Sequence, residues 1–362
     1  MENKKLILNI EYFLQCAGNC AGCFLTRQER ESSEVFNGLL LGKVNEILSK
    51  SKLEKNDNII IGFGRGNLLN LDHDELNLLL NLINEIEQKH KDINIKYEVS
   101  TSLIGKLPLM IEKAKYLINK NKNIYFNIVI NSEIASKNFW NNYQTFYGEL
   151  SKERYSWGIT DETGDILVLN INPESLPSID DFKKYFQQDG KYNGSPFNIS
   201  VFPFANKLDD RSLQKLSEWL LELYEKTKDF DLNIKNIIEG VIKTSNFSSL
   251  EDVVNYHNYG KGYYYFISKN GEIIDGHFST MGEVDYPRLL DKYKIDPDIR
   301  NAIKTLNKNK VCVFCEHKNT CLLTGAYLSA IANIGLGAKS VCPNGYQGLF
   351  EQVASNLDAS AS

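Results

Sequence analysis

Apolar strand-like runs and amphipathic helical stretches alternate six times between Leu6 and Tyr224. Residues 6–10, 58–61, 96–100, 124–130, 165–171 and 198–202 read as strands, being short, rich in Ile, Val, Leu and aromatics, and bounded by polar residues or glycine. Residues 34–50, 76–86, 109–118, 179–186 and 213–224 carry helical spacing, as does an aromatic stretch with Phe139, Trp140, Tyr143 and Phe146. Asp72 reads as an N-cap and Glu75 as its capping-box partner. Such alternation predicts an α/β fold with a parallel sheet and right-handed crossovers. Six units are too few to close an eight-stranded barrel, so a partial (β/α)6 TIM-type barrel follows, with its site at the carboxyl ends of the strands.

The chain has seven cysteines, three at one end and four at the other. Cys16, Cys20 and Cys23 are spaced C-x3-C-x2-C on the loop that leaves the first strand, where Gly18 and Gly22 let it wrap a small object. Three thiolates cannot complete the four-ligand shell of structural zinc or of an ordinary iron–sulfur cluster. A [4Fe–4S] cluster held by three cysteines keeps one iron open. The alternatives are a zinc loop finished by a distant His, or a redox thiol set.

The C-x3-C-x2-C loop after an N-terminal strand resembles the radical S-adenosylmethionine superfamily. The resemblance implies that the open iron binds the amino and carboxylate groups of S-adenosylmethionine. It also implies that one electron releases a 5′-deoxyadenosyl radical, and it makes Cys16, Cys20 and Cys23 catalytic. Family members carry a Gly-Gly-Glu motif, often followed by Pro-Leu-Leu, after the second strand. The match here is Gly64-Arg65-Gly66-Asn67-Leu68-Leu69, with Arg65 for the second Gly and Gly66 for the Glu. Carbonyls of residues 62–64, Gly62 and Gly64 among them, are then expected to meet the ammonium, and Arg65 the methionine carboxylate or a substrate acid. Ser100, Thr101 and Ser102, and Asn131 with Ser132, stand where the family places ribose contacts; each alone also suits a helix N-cap. The family's aromatic before the third cysteine is Gly22 here, and Phe24 is the substitute for adenine contact. Glu11 and Tyr12 lie just upstream of the cysteine loop, and Tyr12, Asn170, Asn172 and Asn198 are expected to line the substrate pocket, since Asn at period two on a strand is disfavoured by propensity and inward polar positions of a barrel can line a ligand cavity. Solvated edge positions are the alternative.

After residue 230, residues 263–267 and 272–274 form a hairpin about Lys269-Asn270-Gly271, and a loop-rich stretch with Pro287 and Pro297 follows. Cys312, Cys315 and Cys321 are spaced C-x2-C-x5-C, and Cys342 follows. Four thiols suit zinc as well as a cluster. Beside the first loop the spacing resembles the SPASM extension, reduced to one auxiliary cluster. The next family cysteine would fall at Gly325, and the pair expected near Asp275-Gly276-His277 is missing. The expected organisation is therefore a barrel over 1–230, a small loop-rich SPASM-like iron–sulfur domain over 231–355, and a frayed tail over 356–362. The expected cofactors are two [4Fe–4S] clusters and S-adenosylmethionine.

A net charge of −5 without a basic stripe argues against nucleic acid. No apolar run reaches membrane length, and no signal peptide precedes the first strand, so a cytosolic (cytoplasmic) location is expected. The resemblance implies a peptide or protein substrate, of the ribosomal peptide maturase type. It also implies an external flavodoxin- or ferredoxin-type electron donor and a possible separate leader-peptide-binding protein. A small-molecule substrate and a non-catalytic cluster-bearing carrier or sensor are the other two readings.

Overall fold

The computed structural model describes all residues except 1–4, 19–24, 33–38, 52, 55–56, 133–136, 158–164, 189–190, 193–196, 202–208, 228–232, 245–248, 256–262, 277–297, 339 and 362. Six strands run parallel in chain order: β1 (Lys5–Phe13), β2 (Asn58–Arg65), β3 (Ile95–Thr101), β4 (Ile124–Asn131), β5 (Ile166–Ile171) and β6 (Phe197–Val201). A hairpin of β7 (Tyr263–Ile267) and β8 (Ile273–Gly276) extends the same sheet, giving the order β8-β7-β1-β2-β3-β4-β5-β6. β7 lies parallel to β1, with Asn9 opposite Phe266, and β8 is antiparallel to β7. The partial barrel read from the sequence is thus the observed architecture.

Two faces divide the strands. Leu6, Leu8 and Ile10 of β1, Ile59, Ile61 and Phe63 of β2, Tyr97 and Val99 of β3, and Phe126, Ile128 and Ile130 of β4 pack into one apolar core. It is covered by α2 (Leu39–Lys50), α3 (His73–Lys89), α4 (Leu107–Lys120), α5 (Lys137–Ser156) and α7 (Asp210–Lys226). Period-two alternation sends the intervening residues to the other face. That face carries Asn9, Glu11, Glu98, Ser100, Asn127, Asn131 and Asn170, so it is polar. α3 begins as expected: Asp72 Oδ1 accepts from Glu75 N and Glu75 Oε2 accepts from Asp72 N, each at 2.9 Å.

At the opposite end from the cysteine loop, Arg154 of α5 and Asp165 before β5 form an ion pair with no solvent exposure. Nε and Nη2 of Arg154 donate to the two carboxylate oxygens at 3.1 and 2.9 Å. Asp165 Oδ1 also accepts from Phe126 N at 2.8 Å, and Arg154 Nη2 donates to Ile124 O at 2.8 Å. The pair therefore joins α5, β4 and the entry to β5.

Two expectations for the C-terminal part are corrected. Residues 298–361 are largely helical rather than loop-rich: α10 (Ile299–Leu306), α11 (Lys310–Val313), α12 (Lys318–Thr324), α13 (Tyr327–Leu336) and α14 (Gln347–Ala361) follow α8 (Asn233–Thr244) and α9 (Leu250–Asn255). The frayed tail over 356–362 is instead helical to Ala361, because Leu349, Phe350 and Val353 dock on the barrel core and Asn356 Nδ2 donates to Tyr224 OH at 2.9 Å. β7 belongs to the main sheet, and α14 packs on α7 and α8. A second apolar cluster sets Ile7, Tyr264 and Phe266 against Val253, Ile303, Leu306, Leu323 and Tyr327 of the C-terminal helices.

Candidate active site

The rim at the carboxyl ends of the strands is organised around the loop that follows β1. Cys16 N donates to Arg30 O at 3.1 Å, and Gly18 N lies 3.3 Å from Cys16 Sγ. Arg30 Nη1 returns to Gly18 O at 2.6 Å, so α1 (Arg27–Glu31) clamps the loop from one side. α1 is short, and a Thr26–Glu29 capping box fixes its start. Cys20, Cys23 and Phe24 lie outside the described residues. Cys16, Gln15, Arg30, Leu69, Lys106 and Lys113 border a cleft of about 510 Å³.

The other side of the loop is held by the end of β2. Gly66 N donates to Phe13 O at 2.8 Å and Asn67 N to Gln15 O at 2.9 Å. A Cβ on Gly66 would stand 2.6 Å from Gln15 O, 2.7 Å from Leu14 C and 2.8 Å from Phe13 O. Those are backbone atoms of the cysteine loop, so no side chain fits there. A Glu here, where the Gly-Gly-Glu resemblance would put one, would meet the same main-chain atoms. Buried Asn67 adds a brace: its Oδ1 accepts from Thr101 Oγ1 at 2.8 Å, and its Nδ2 donates to Ile104 O at 3.3 Å. Thr101 is thereby structural, on the face opposite Ser100 and Ser102.

Gly62 and Gly64 lie on the polar face. A Cβ on Gly62 would stand 2.2 Å from Asn9 Oδ1, and one on Gly64 3.0 Å from Ser100 Oγ. These glycines let neighbouring polar side chains lie flat along the barrel wall. The backbone of Arg65 pairs with Phe13, while its side chain is outside the described residues. Ser102 Oγ is buried without a hydrogen-bond partner among the described residues, as a group that awaits a ligand would be. Asn131 Oδ1 accepts from Asn170 Nδ2 at 3.0 Å, joining two expected site residues across β4 and β5. Asn198 sits in register with Val168 on β6, its side chain outside the described residues.

Two expected pocket residues belong elsewhere. Tyr12 shares the helix-covered face with Leu8 and Ile10. It is 1% exposed and meets the Phe63 ring edge-on at 5.7 Å. Burial, with Glu75 nearby, raises its phenol above the ordinary tyrosine range, so it is a core residue. Asn172 lies beyond the end of β5, and its Oδ1 accepts from Glu174 N at 3.0 Å, closing a turn rather than lining the pocket. Its backbone N donates to Ser132 Oγ at 2.8 Å, which gives Ser132 a structural task too.

The wall instead includes Asn9, Glu11, Glu98 and Asn127, all nearly buried. Asn127 Nδ2 donates to Glu98 Oε2 at 2.9 Å, and Asn9 Nδ2 to Tyr264 OH at 3.1 Å. Glu11 Oε2 accepts from Lys269 N at 2.9 Å, tying the hairpin turn to β1. The period-two run Glu98, Ser100, Ser102 is the signal in the sequence that marks this face.

The four C-terminal cysteines come together. Cys312 on α11, Cys315 in the following turn, Cys321 on α12 and Cys342 before α14 line one largely apolar cavity with Ala330 and Phe350. Asn309 caps α11 through Val311 N and Cys312 N. Asn344 Nδ2 lies 3.2 Å from Cys321 Sγ, and Cys342 Sγ lies 2.9 Å from Asn344 Oδ1. Burial, then the charge of the neighbouring thiolates, pushes the Cys312 thiol up to about 12 and Cys321 well above its ordinary value; burial also raises Cys315 and Cys342. A cationic group would offset both costs, so this donor set fits a bound metal centre. His277 lies outside the described residues.

Comparison with solved structures places the fold. Native anSMEcpe with bound AdoMet and Cp18Cys peptide aligns with a TM-score of 0.56 at 11% identity, over 98% of this chain and 99% of that chain. Native anSMEcpe with bound AdoMet aligns with a TM-score of 0.56 at 10% identity, over the same shares. The chain has the anSMEcpe fold. No protein-family model and no curated protein matches it. Among the described residues no helix is long and apolar enough to cross a membrane.

Proposed function

We propose that this chain is a radical S-adenosylmethionine enzyme that cleaves the sulfonium reductively and abstracts a hydrogen atom from a peptide. One observation carries the reading. Cys16 opens a C-x3-C-x2-C loop at the carboxyl end of β1, in a fold shared almost end to end with structures that hold AdoMet and a peptide. Cys16, Cys20 and Cys23 would hold the first [4Fe–4S] cluster, which when bound supplies the cleaving electron from an external flavodoxin- or ferredoxin-type donor. Arg65, Ser100, Ser102 and Asn131 would orient S-adenosylmethionine at the rim. Asn170, Glu98 and Asn127 give the barrel wall hydrogen-bonding groups suited to peptide amides. A separate leader-peptide-binding protein is part of the proposal.

Cys312, Cys315, Cys321 and Cys342 would hold the second cluster. All four thiols line one cavity, a donor set that a four-cysteine [4Fe–4S] cluster would use in full.

The test is anaerobic reconstitution, followed by iron and sulfide analysis and the measurement of 5′-deoxyadenosine formed with dithionite. About eight iron and eight sulfide per chain are expected. Replacing Cys16, Cys20 and Cys23 with Ala should halve that content and abolish deoxyadenosine. A parent protein that forms no deoxyadenosine, with or without peptide, rejects the proposal, and stoichiometric zinc rejects its C-terminal half. The pair Cys312→Ala and Cys315→Ala is expected to lower solubility and product yield while the folded fraction still forms deoxyadenosine. Parent-rate product from that variant would show that the second centre has no part in turnover.

A further inference from the structure

We propose that the surface around Val313 and Phe314 docks a small acidic one-electron carrier protein. The proposal rests on the reading that Cys312, Cys315, Cys321 and Cys342 hold a redox-active cluster. Phe314 is 85% exposed and its neighbour Val313 40%. Both lie inside the C-x2-C turn, between two of the thiols. Exposed Lys304, Lys308 and Lys310 and half-buried Lys318 surround that turn in sequence. Lys318 Nζ donates to Asn307 Oδ1 at 3.2 Å, which ties α12 to the turn carrying Lys308. Lys318 also lies near enough to Cys312 and Cys315 for its charge to favour their thiolates.

The nearby carboxylates are Glu316 in the same turn and Glu351 on α14, while Arg300 is engaged by Glu251. Among the described residues none of the four lysines forms an ion pair with a carboxylate, so the turn is locally basic in a chain of net charge −5. An exposed aromatic anchor with a basic rim is the pattern of a small, electrostatically steered interface. Redox encounters fall at the low end of interface size, below about 1,200 Å². The anchor sits on the thiol-bearing turn itself, so a partner docked there brings its own redox group close to these sulfurs. The exchange moves one electron from the reduced carrier to the group the thiols hold. The carrier is oxidised by one electron, and no bond or proton changes place.

The experiment uses the reconstituted full chain and a reduced acidic [2Fe–2S] ferredoxin as the probe. Affinity is measured at low and high salt in the parent, in Phe314→Ala, and in Lys308→Glu combined with Lys310→Glu. Iron and sulfide are counted in each. Parent binding should weaken at least ~10-fold at high salt, and the charge-reversed variant should bind about 10-fold more weakly at low salt. Phe314→Ala should lose affinity at both salts. Iron content and reduction by dithionite should stay at parent level, which a merely structural effect would not allow. Two variants that hold full iron and bind the ferredoxin like the parent overturn this inference alone. A parent with only half the expected iron overturns the cluster reading and this inference with it. Loss of affinity for an acidic peptide, with ferredoxin binding intact, also overturns it.

Discussion

Asp165→Ala is expected to destabilise the protein by about 3–5 kcal/mol, the cost of removing one partner from a buried ion pair. The carboxylate has three tasks. It accepts two bonds from Arg154 and one from Phe126 N, and neither Asp165 nor Arg154 is exposed to solvent. Without it the guanidinium keeps, among the described residues, Ile124 O and the Tyr125 ring, whose centroid lies 4.8 Å away. A charge left in that setting must be hydrated by opening α5 from β4. Removing both charges is a different matter. Arg154→Met with Asp165→Leu should recover much of the loss, since apolar replacement of a whole buried pair is often neutral. Urea unfolding of the four proteins of this cycle measures the coupling. A single-variant loss below about 1 kcal/mol would place the pair with surface ion pairs, in conflict with its burial.

The pair shows why some of this molecule was legible in the sequence and some was not. The six barrel strands and the Asp72–Glu75 cap are local patterns, and they stand where period and capping chemistry put them. The Arg154–Asp165 pair joins residues eleven apart across a crossover, which no local pattern marks. Tyr12 stands close to the cysteine loop in sequence, which suggests the pocket. The alternation Leu8, Ile10, Tyr12 against Asn9, Glu11 already puts it on the apolar face. Asn172 shares parity with Asn170, but the strand ends between them and the side chain turns to Glu174 N. Over 298–361 the apolar spacing of Leu322, Leu323, Tyr327 and Ala330 is helical, but the closely spaced thiols in the same stretch equally suit a metal-pinned loop. The helix through 356–361 is held by tertiary contacts, among them the bond from Asn356 to the distant Tyr224 hydroxyl.

Gly66→Ala is expected to reduce deoxyadenosine formation at least ~10-fold and to lower iron at the first site, because one methyl group would displace the cysteine loop. The added Cβ would meet Leu14 C, Phe13 O and Gln15 O below 3 Å, and all three are main-chain atoms that cannot rotate away. Relief requires β2 to part from β1, which breaks the bonds from Gly66 N to Phe13 O and from Asn67 N to Gln15 O. Overpacking of this kind costs about 1–3 kcal/mol. The same strain moves Cys16, which follows Gln15 directly and is positioned by Arg30 O. Gly66→Glu, which restores the carboxylate of the Gly-Gly-Glu pattern, should therefore be at least as damaging as Gly66→Ala rather than a gain. Gly64→Ala is the control. Its Cβ would press on Ser100 Oγ at 3.0 Å, the end of a side chain that can turn, with Ser100 Cβ at an ordinary 3.7 Å. It should retain iron and lose less activity. Iron content, deoxyadenosine yield and urea midpoint on the three variants decide the matter. A Gly66→Glu protein with parent iron and faster cleavage would show that the strand ends can separate, and that the missing acid is a loss of function instead of a consequence of packing.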